Sequence, residues 1–174
     1  SPPHNALFDI GVNLYSKQFK NRVDSILQRA VESGVESIVA IASDVSESIL
    51  LCESAPINAP KTWTTAGVHP HQASTFDENS VDTLRRCLRD PRCVAVGECG
   101  LDYNRMFSTK AAQQYAFESQ IELAIALKKP LYLHQRDAHD DFLSTLNAQF
   151  QNSSVHGVVH CFTEGRTTLR TYLD

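Results

Sequence analysis

Six short apolar runs, each ending in polar or ionisable residues, divide the chain at residues 7–13, 37–44, 63–71, 94–102, 131–137 and 155–162. Most are rich in Val, Ile and Leu with little polar alternation. That is the pattern of strands covered on both faces of a parallel sheet. The segments between them have helical spacing. Phe19, Val23, Ile26, Leu27, Ala30 and Val31 form one apolar stripe, closed by Gly34, a residue suited to a left-handed helix end. Val81, Leu84 and Leu88 form a second, with Pro91 just beyond it. Phe117, Ile121, Ala124 and Ile125 form a third, opened by a Ser108-Thr109 cap region and stopped by Pro130. Phe142, Leu143, Leu146 and Phe150 form a fourth, residues 46–54 read as a short helix, and residues 164–173 as the start of another.

The order is therefore strand–helix, six times over, with no linker, low-complexity tract or charge block. Parallel strands need crossovers and helices supply them, so a single α/β domain follows. Two architectures fit: an open doubly wound sheet, or a barrel of which six units are present. Hydrophobic residues make up 42% and charged residues 21% of the 174, an ordinary globular composition that excludes a disordered or collagen-like chain. Sixteen Lys+Arg against twenty Asp+Glu leave a net charge of −4, so any phosphate contact must come from a local site, not bulk attraction. No run reaches the ~20 apolar residues of a membrane span. The five cysteines include no C-x-x-C pair and fit small buried side chains in a reduced, intracellular protein.

Chemistry-bearing residues gather at one end of the runs. The first ends at Asn13 after Asp9, and the third in His69-Pro70-His71. The fourth carries Glu98 and Asp102, the fifth ends in His134-Gln135-Arg136-Asp137, and the sixth holds His160. In βα barrels the carboxyl edge holds an active site assembled from several strands at once. In an open sheet the crevice draws on fewer strands, near one switch point. Polar residues on at least five strand ends favour the barrel. The rival also lacks its signatures: there is no G-x-G-x-x-G, no G-x-x-x-x-G-K-[ST] and no G-x-S-x-G.

Glu98, His134 and His160 lie on consecutive strands, which sit about 4.8 Å apart in a sheet. Two imidazoles and a carboxylate with an open position suit a divalent metal that activates water. His69 and His71 flank Pro70, whose turn leaves three roles open: metal ligand, phosphate contact or loop residue. Arg136 offers a bidentate fork to a phosphate, or an ion pair to Asp102 or Asp137. Arg85, Arg86, Arg89 and Arg92 read as a solvated helix face, and Lys128-Lys129 as a helix C-terminus complementing its dipole.

At these strand ends the chain resembles the TatD family of metal-dependent deoxyribonucleases. The matching stretches are residues 8–14 (FDIGVNL), 65–71 (TAGVHPH), 96–103 (VGECGLDY), 134–138 (HQRDA) and 159–163 (VHCFT). They occur in the family's order and cover nearly the whole chain, and the first strand is most similar to the TatD-proper branch. The resemblance implies a TIM (β/α)8 barrel of the metal-dependent hydrolase superfamily, with about six of eight βα units present. It implies cleavage of DNA phosphodiesters, 3′ to 5′ on single strands. It implies Glu98, His134 and His160 as metal ligands and His69, His71 and Asn13 at the substrate. Glu98 and Arg136 are the expected catalytic residues. Gly11 and Asn13 stand where many relatives carry H-x-H, which weighs against a second tightly held metal. The family also carries a late-strand aspartate for which residues 1–174 offer no counterpart.

The resulting expectation is one barrel domain over residues 1–174 lacking its last two units. Six units of roughly 30 residues fill this length, whereas a closed barrel takes about 250. The expected cofactor is a divalent cation. Family resemblance favours Mg²⁺, and a two-histidine site is chemically friendlier to Zn²⁺ or Mn²⁺. Single-stranded DNA is the expected substrate and the cytoplasm the expected location, with the nucleus as alternative. Two rival readings are a metal-dependent hydrolase of a small ester or amide, and an inactive fragment or binding subunit.

Overall fold

The computed structural model describes residues 7–12, 14, 22–58, 60–151 and 158–160, with 7–12 and 158–160 as backbone alone. Six strands form one parallel sheet in sequence order: β1 (Leu7–Val12), β2 (Val35–Ala40), β3 (Lys61–Ala66), β4 (Cys93–Asp102), β5 (Leu131–Arg136) and β6 (Val158–His160). Among the described residues each strand pairs with its neighbours in the chain, the winding of a barrel and not of a doubly wound sheet. The sheet is curled into a half-barrel. Its helices are α1 (Val23–Glu32), α2 (Val45–Ser54), α3 (Glu78–Leu88), α4 (Lys110–Leu127) and α5 (His139–Phe150).

Local chemistry sets the helix ends. Asp44 caps α2 by accepting from the Glu47 N–H at 2.8 Å. Asp77 and Ser80 cap each other at the start of α3, satisfying donors that helical bonding leaves orphaned. Thr109 caps α4 by accepting from the Ala112 N–H at 3.1 Å. Gly34 follows α1 with φ +88°, as the sequence pattern anticipates.

Side-chain alternation sorts two layers. On β2, Ile38 and Ala40 pack with Leu27 and Leu51 of α1 and α2. Val39 and Ile41 pack on the other face with Ala95 and Tyr132. The larger helix-side core joins Val96, Cys99, Leu101, Leu131 and Leu133 to Leu84, Phe117, Ile121 and Phe142. Phe117 and Phe142 stack there at 5.3 Å, tying α4 to α5. Cys87, Cys93 and Cys99 are buried, matching the expectation of small apolar side chains. Burial pushes the Cys93 thiol up to about 12, so it stays an inert S–H.

Three sequence expectations change. The third strand ends at Ala66, not at His71. Gly67 leaves the ladder against the backbone of Gly97, and Pro70 opens a 3-10 turn, Pro70–Thr75. Arg92 is half-buried and not part of a solvated face. Its guanidinium donates to the Ala55 and Cys52 carbonyls at 3.2 and 3.4 Å, closing the C-terminal end of α2. The Lys129 ammonium donates to the Cys93 carbonyl at 2.8 Å, linking it to β4. Phe19, Asn13, Cys161 and residues 164–173 lie outside the described residues, as do the side chains of Asp9 and His160. Among the described residues, no helix is long and apolar enough to cross a membrane.

Candidate metal centre

The carboxyl edge is shaped first by glycine. A Cβ on Gly97 would collide with the Tyr132 carbonyl of β5, and one on Gly100 with the His134 carbonyl. Their φ angles, +151° and +145°, are also ones that side-chain-bearing residues avoid. Between them the β4–β5 register slips: Gly97 pairs with Tyr132 and Cys99 with Leu133, leaving Glu98 as the extra residue of a bulge.

The slip decides where Glu98 points. Val96 faces the helix-side core, so strict alternation would send Glu98 there too. The bulge instead keeps Cys99 and Leu101 in that core and brings Glu98 to the histidines. Its Oε1 lies 3.3 Å from His134 Nδ1 and 3.9 Å from His69 Nε2. One ligand atom from each of His69, Glu98 and His134 lies within 4.8 Å of the others, a spacing able to hold a metal ion.

Contacts from the segment that follows β2 and from β3 fix this arrangement. The Glu98 N–H donates to the Ala42 carbonyl at 2.9 Å, and the His69 N–H to the Ser43 carbonyl at 2.8 Å. The Thr65 hydroxyl donates to the Gly97 carbonyl at 2.7 Å.

The two nitrogens of His134 have different partners. Nε2 lies 2.9 Å from Asp102 Oδ2, while Nδ1 faces Glu98. A proton on Nε2, held by Asp102, leaves the Nδ1 lone pair free for an ion, the carboxylate–histidine arrangement common around metals. Burial disfavours a protonated His134, but hydrogen bonds and charge from Glu98 and Asp102 outweigh it and raise its pKa. Burial also works against the charged form of Asp102. The Arg105 N–H and His134 overcome it, and His71 adds to them, so the carboxyl is held at about 2. Asp102 thus remains an anion.

His69 is built differently. Burial pushes its imidazole down to about 4 against the pull of Glu98, so it is neutral near pH 7. Its Nδ1 accepts the His71 N–H at 3.1 Å. The proton of the neutral ring therefore sits on Nε2, where it can be donated. His71 Nε2 lies 3.1 Å from Asp102 Oδ2, so one carboxylate organises two histidines.

The structure brings Glu98, His134, His69 and His71 together. Arg136 lies at the tip of β5, on the same strand face as His134 but exposed, and Asp102 is engaged by the two histidines and not by an Arg136 ion pair. His160 is placed as backbone, paired with Leu133 on the strand beside β5.

Sequence reasoning missed two buried glutamines on α4. Gln113 accepts from the Asp102 N–H at 2.9 Å and donates to its carbonyl at 3.0 Å. Gln120 accepts from the Val68 N–H at 2.8 Å and donates to its carbonyl at 3.1 Å. Each clamps a backbone segment that delivers a site residue, Asp102 or His69. Their signal was present: two amides, two helical turns apart, on the apolar face of an otherwise ordinary helix.

Carboxylate and imidazole donors converging at the carboxyl edge of a curled parallel sheet are the hallmark of metal-binding βα barrels. A family model, TatD related DNase, matches residues 8–174, and the chain belongs to that family. It is 45% identical over 157 residues to a protein of Cronobacter turicensis named 3′-5′ ssDNA/RNA exonuclease TatD, covering 90% of this chain and 59% of that one. It is 42% identical over 167 residues to the protein of that name from Erwinia tasmaniensis, covering 96% and 64%. A hydrolase TatD family protein from Entamoeba histolytica superposes with a TM-score of 0.79 at 28% identity, covering 97% of this chain and 62% of that structure. A TatD homologue from Escherichia coli K12 gives 0.76 at 25% identity, covering 96% and 64%. The chain thus spans less than two thirds of the length of these relatives.

Proposed function

We propose that this protein is a metal-dependent nuclease that hydrolyses phosphodiester bonds of single-stranded DNA from the 3′ end. The observation that carries the reading is the division of labour at His134: Asp102 on Nε2 and Glu98 beside Nδ1. That arrangement supports a divalent-ion site in which a second carboxylate orients the imidazole ligand. The names of the exonuclease relatives supply the substrate class.

Glu98 and His134 would hold the ion, with His160 from the adjacent strand as the third ligand. A divalent ion there supplies Lewis-acid polarisation and an acidified water. Mg²⁺ is the favoured ion on family grounds, and Zn²⁺ or Mn²⁺ suit imidazole ligands. His69 enters the cluster as a donor. With Nδ1 already accepting a backbone N–H, its Nε2–H is available to a phosphate oxygen, and His71 stands beside it. Arg136 at the rim would neutralise charge building on the phosphate, and Asn13 would complete the substrate contacts.

The test is digestion of end-labelled oligonucleotides by the metal-loaded, full-length protein. A ladder shortening from the 3′ end is expected. E98Q should lose activity at least about 100-fold, the cost typical of removing one electrostatic contribution to a transition state. Turnover of small esters or amides, with no cleavage of DNA in Mg²⁺, Mn²⁺ or Zn²⁺, would overturn the proposal.

A further inference from the structure

The segment joining β4 to α4, residues 103–109, is anchored at both ends. Asp102 Oδ1 accepts the N–H groups of Asn104 and Arg105 at 3.0 and 2.9 Å. Gln113 donates to the Ser108 carbonyl at 3.0 Å. The buried Ser108 hydroxyl accepts the Ser74 N–H at 3.0 Å and donates to the His71 carbonyl at 3.2 Å. A segment held this firmly has the means to turn its apolar side chains inward. Phe107 nonetheless stays 66% exposed. Its ring meets the His71 ring at 5.0 Å and 70°. His71 in turn contacts His69 at 4.4 Å and shares Asp102 with His134.

We propose that Phe107 is a stacking platform for a nucleobase next to the phosphate that is cleaved, an inference that rests on the nuclease reading above. An exposed aromatic ring fixed beside a phosphate-handling histidine matches the way proteins grip single strands. Every base has a π-face, so stacking is tolerant of sequence. A duplex hides those faces, so the same ring selects for unpaired ends. The chain's net charge of −4 offers no bulk attraction for nucleic acid, so local contacts, an apolar one among them, carry more of the binding. The ring contact of Phe107 is with His71, at the site itself. At 66% exposure, truncation leaves little cavity, so F107A should fold and the experiment reads binding alone.

The test compares wild type, F107A and F107W as metal-loaded, full-length proteins. One measurement is the fluorescence of a single-stranded oligonucleotide with 2-aminopurine near its 3′ end and cleavage-resistant phosphorothioate linkages there. Wild type and F107W should quench it by stacking, and F107A should not. The second is steady-state cleavage of the same sequence with ordinary linkages against one with an abasic residue at the same place. Wild type should favour the base-bearing substrate, mainly through KM, by about 5- to 150-fold. F107A should lose the preference and F107W keep it. Cleavage with equal quenching and equal preference in F107A overturns the platform and leaves the nuclease reading intact. Quenching that depends on Phe107 in a protein that cleaves no DNA supports the platform and sinks the nuclease reading. Equal loss of kcat on both substrates would make Phe107 a support for His71, and the platform would be wrong.

Discussion

The second and fourth strands sit in the same sheet but serve the site in opposite ways. β2 pairs without a slip to β3, though its register against β1 skips Glu36, and it leaves the sheet through Ile41 and Ala42, whose side chains are buried in the apolar layers. Its exit contributes backbone groups: the Ala42 and Ser43 carbonyls accept from the Glu98 and His69 N–H groups, and the Ala42 N–H donates to the Thr65 hydroxyl at 3.1 Å. β4 is irregular, slips against β5, and carries Glu98 and Asp102. The backbone at the β2 exit supplies a fixed frame. The irregular strand presents the chemistry, because a bulge can aim a side chain that strict alternation would bury.

The largest test of that contrast is Gly100→Ala. The added methyl meets the His134 carbonyl at a φ that disfavours side chains. We expect a loss of about 4 kcal/mol or more, among the severest single-residue effects, read as a collapsed thermal or urea transition. An unchanged melting curve would mean that β4 can hold its shape without that glycine. Next comes Asp102→Asn, which keeps the volume but not the charge that orients His134. Metal affinity should fall about 10- to 100-fold by titration calorimetry, with secondary structure intact by circular dichroism. Wild-type affinity would show that Asp102 does not set the ring. The smallest effect belongs to the β2 side. Ser43→Ala removes the hydroxyl that donates to Glu47 at 2.8 Å but leaves the carbonyl that holds His69. We expect a cost of about 0.5–1.5 kcal/mol and unchanged metal affinity. A large drop in affinity would break the division between frame and chemistry.

Much of the site was readable before any coordinates. Glu98, His134, His69 and His71 stood out because each ends an apolar run, and parallel strands gather such ends along one edge. The helix signals were equally direct: Thr109 and Gly34 sit at helix ends because orphaned backbone groups and left-handed turns demand them. Other features were not readable, because they depend on contacts between distant segments. Nothing local distinguishes Arg92, which closes α2, from its solvated neighbours on α3. The glutamines of α4 look like surface residues until the helix docks and their amides meet the backbone at Val68 and Asp102. Asp102 was one of two alternative ion-pair partners for Arg136, beside a phosphate role for that arginine, whereas the fold places Asp102 between two histidines.

The sequence by itself determined the strand–helix repeat and the edge at which chemistry gathers, while the choice of a barrel over an open sheet was favoured by its polar strand ends and decided by the strand order. The repeat and the edge follow from hydrophobic period, from capping residues, and from the need of parallel strands for crossovers. Only the tertiary structure decided which way Glu98 faces and which nitrogen of His134 meets which carboxylate. The physical reason is the close approach of β4 to β5 at Gly97 and Gly100. That approach shifts the register by one residue, and a one-residue slip exchanges the two faces of a strand.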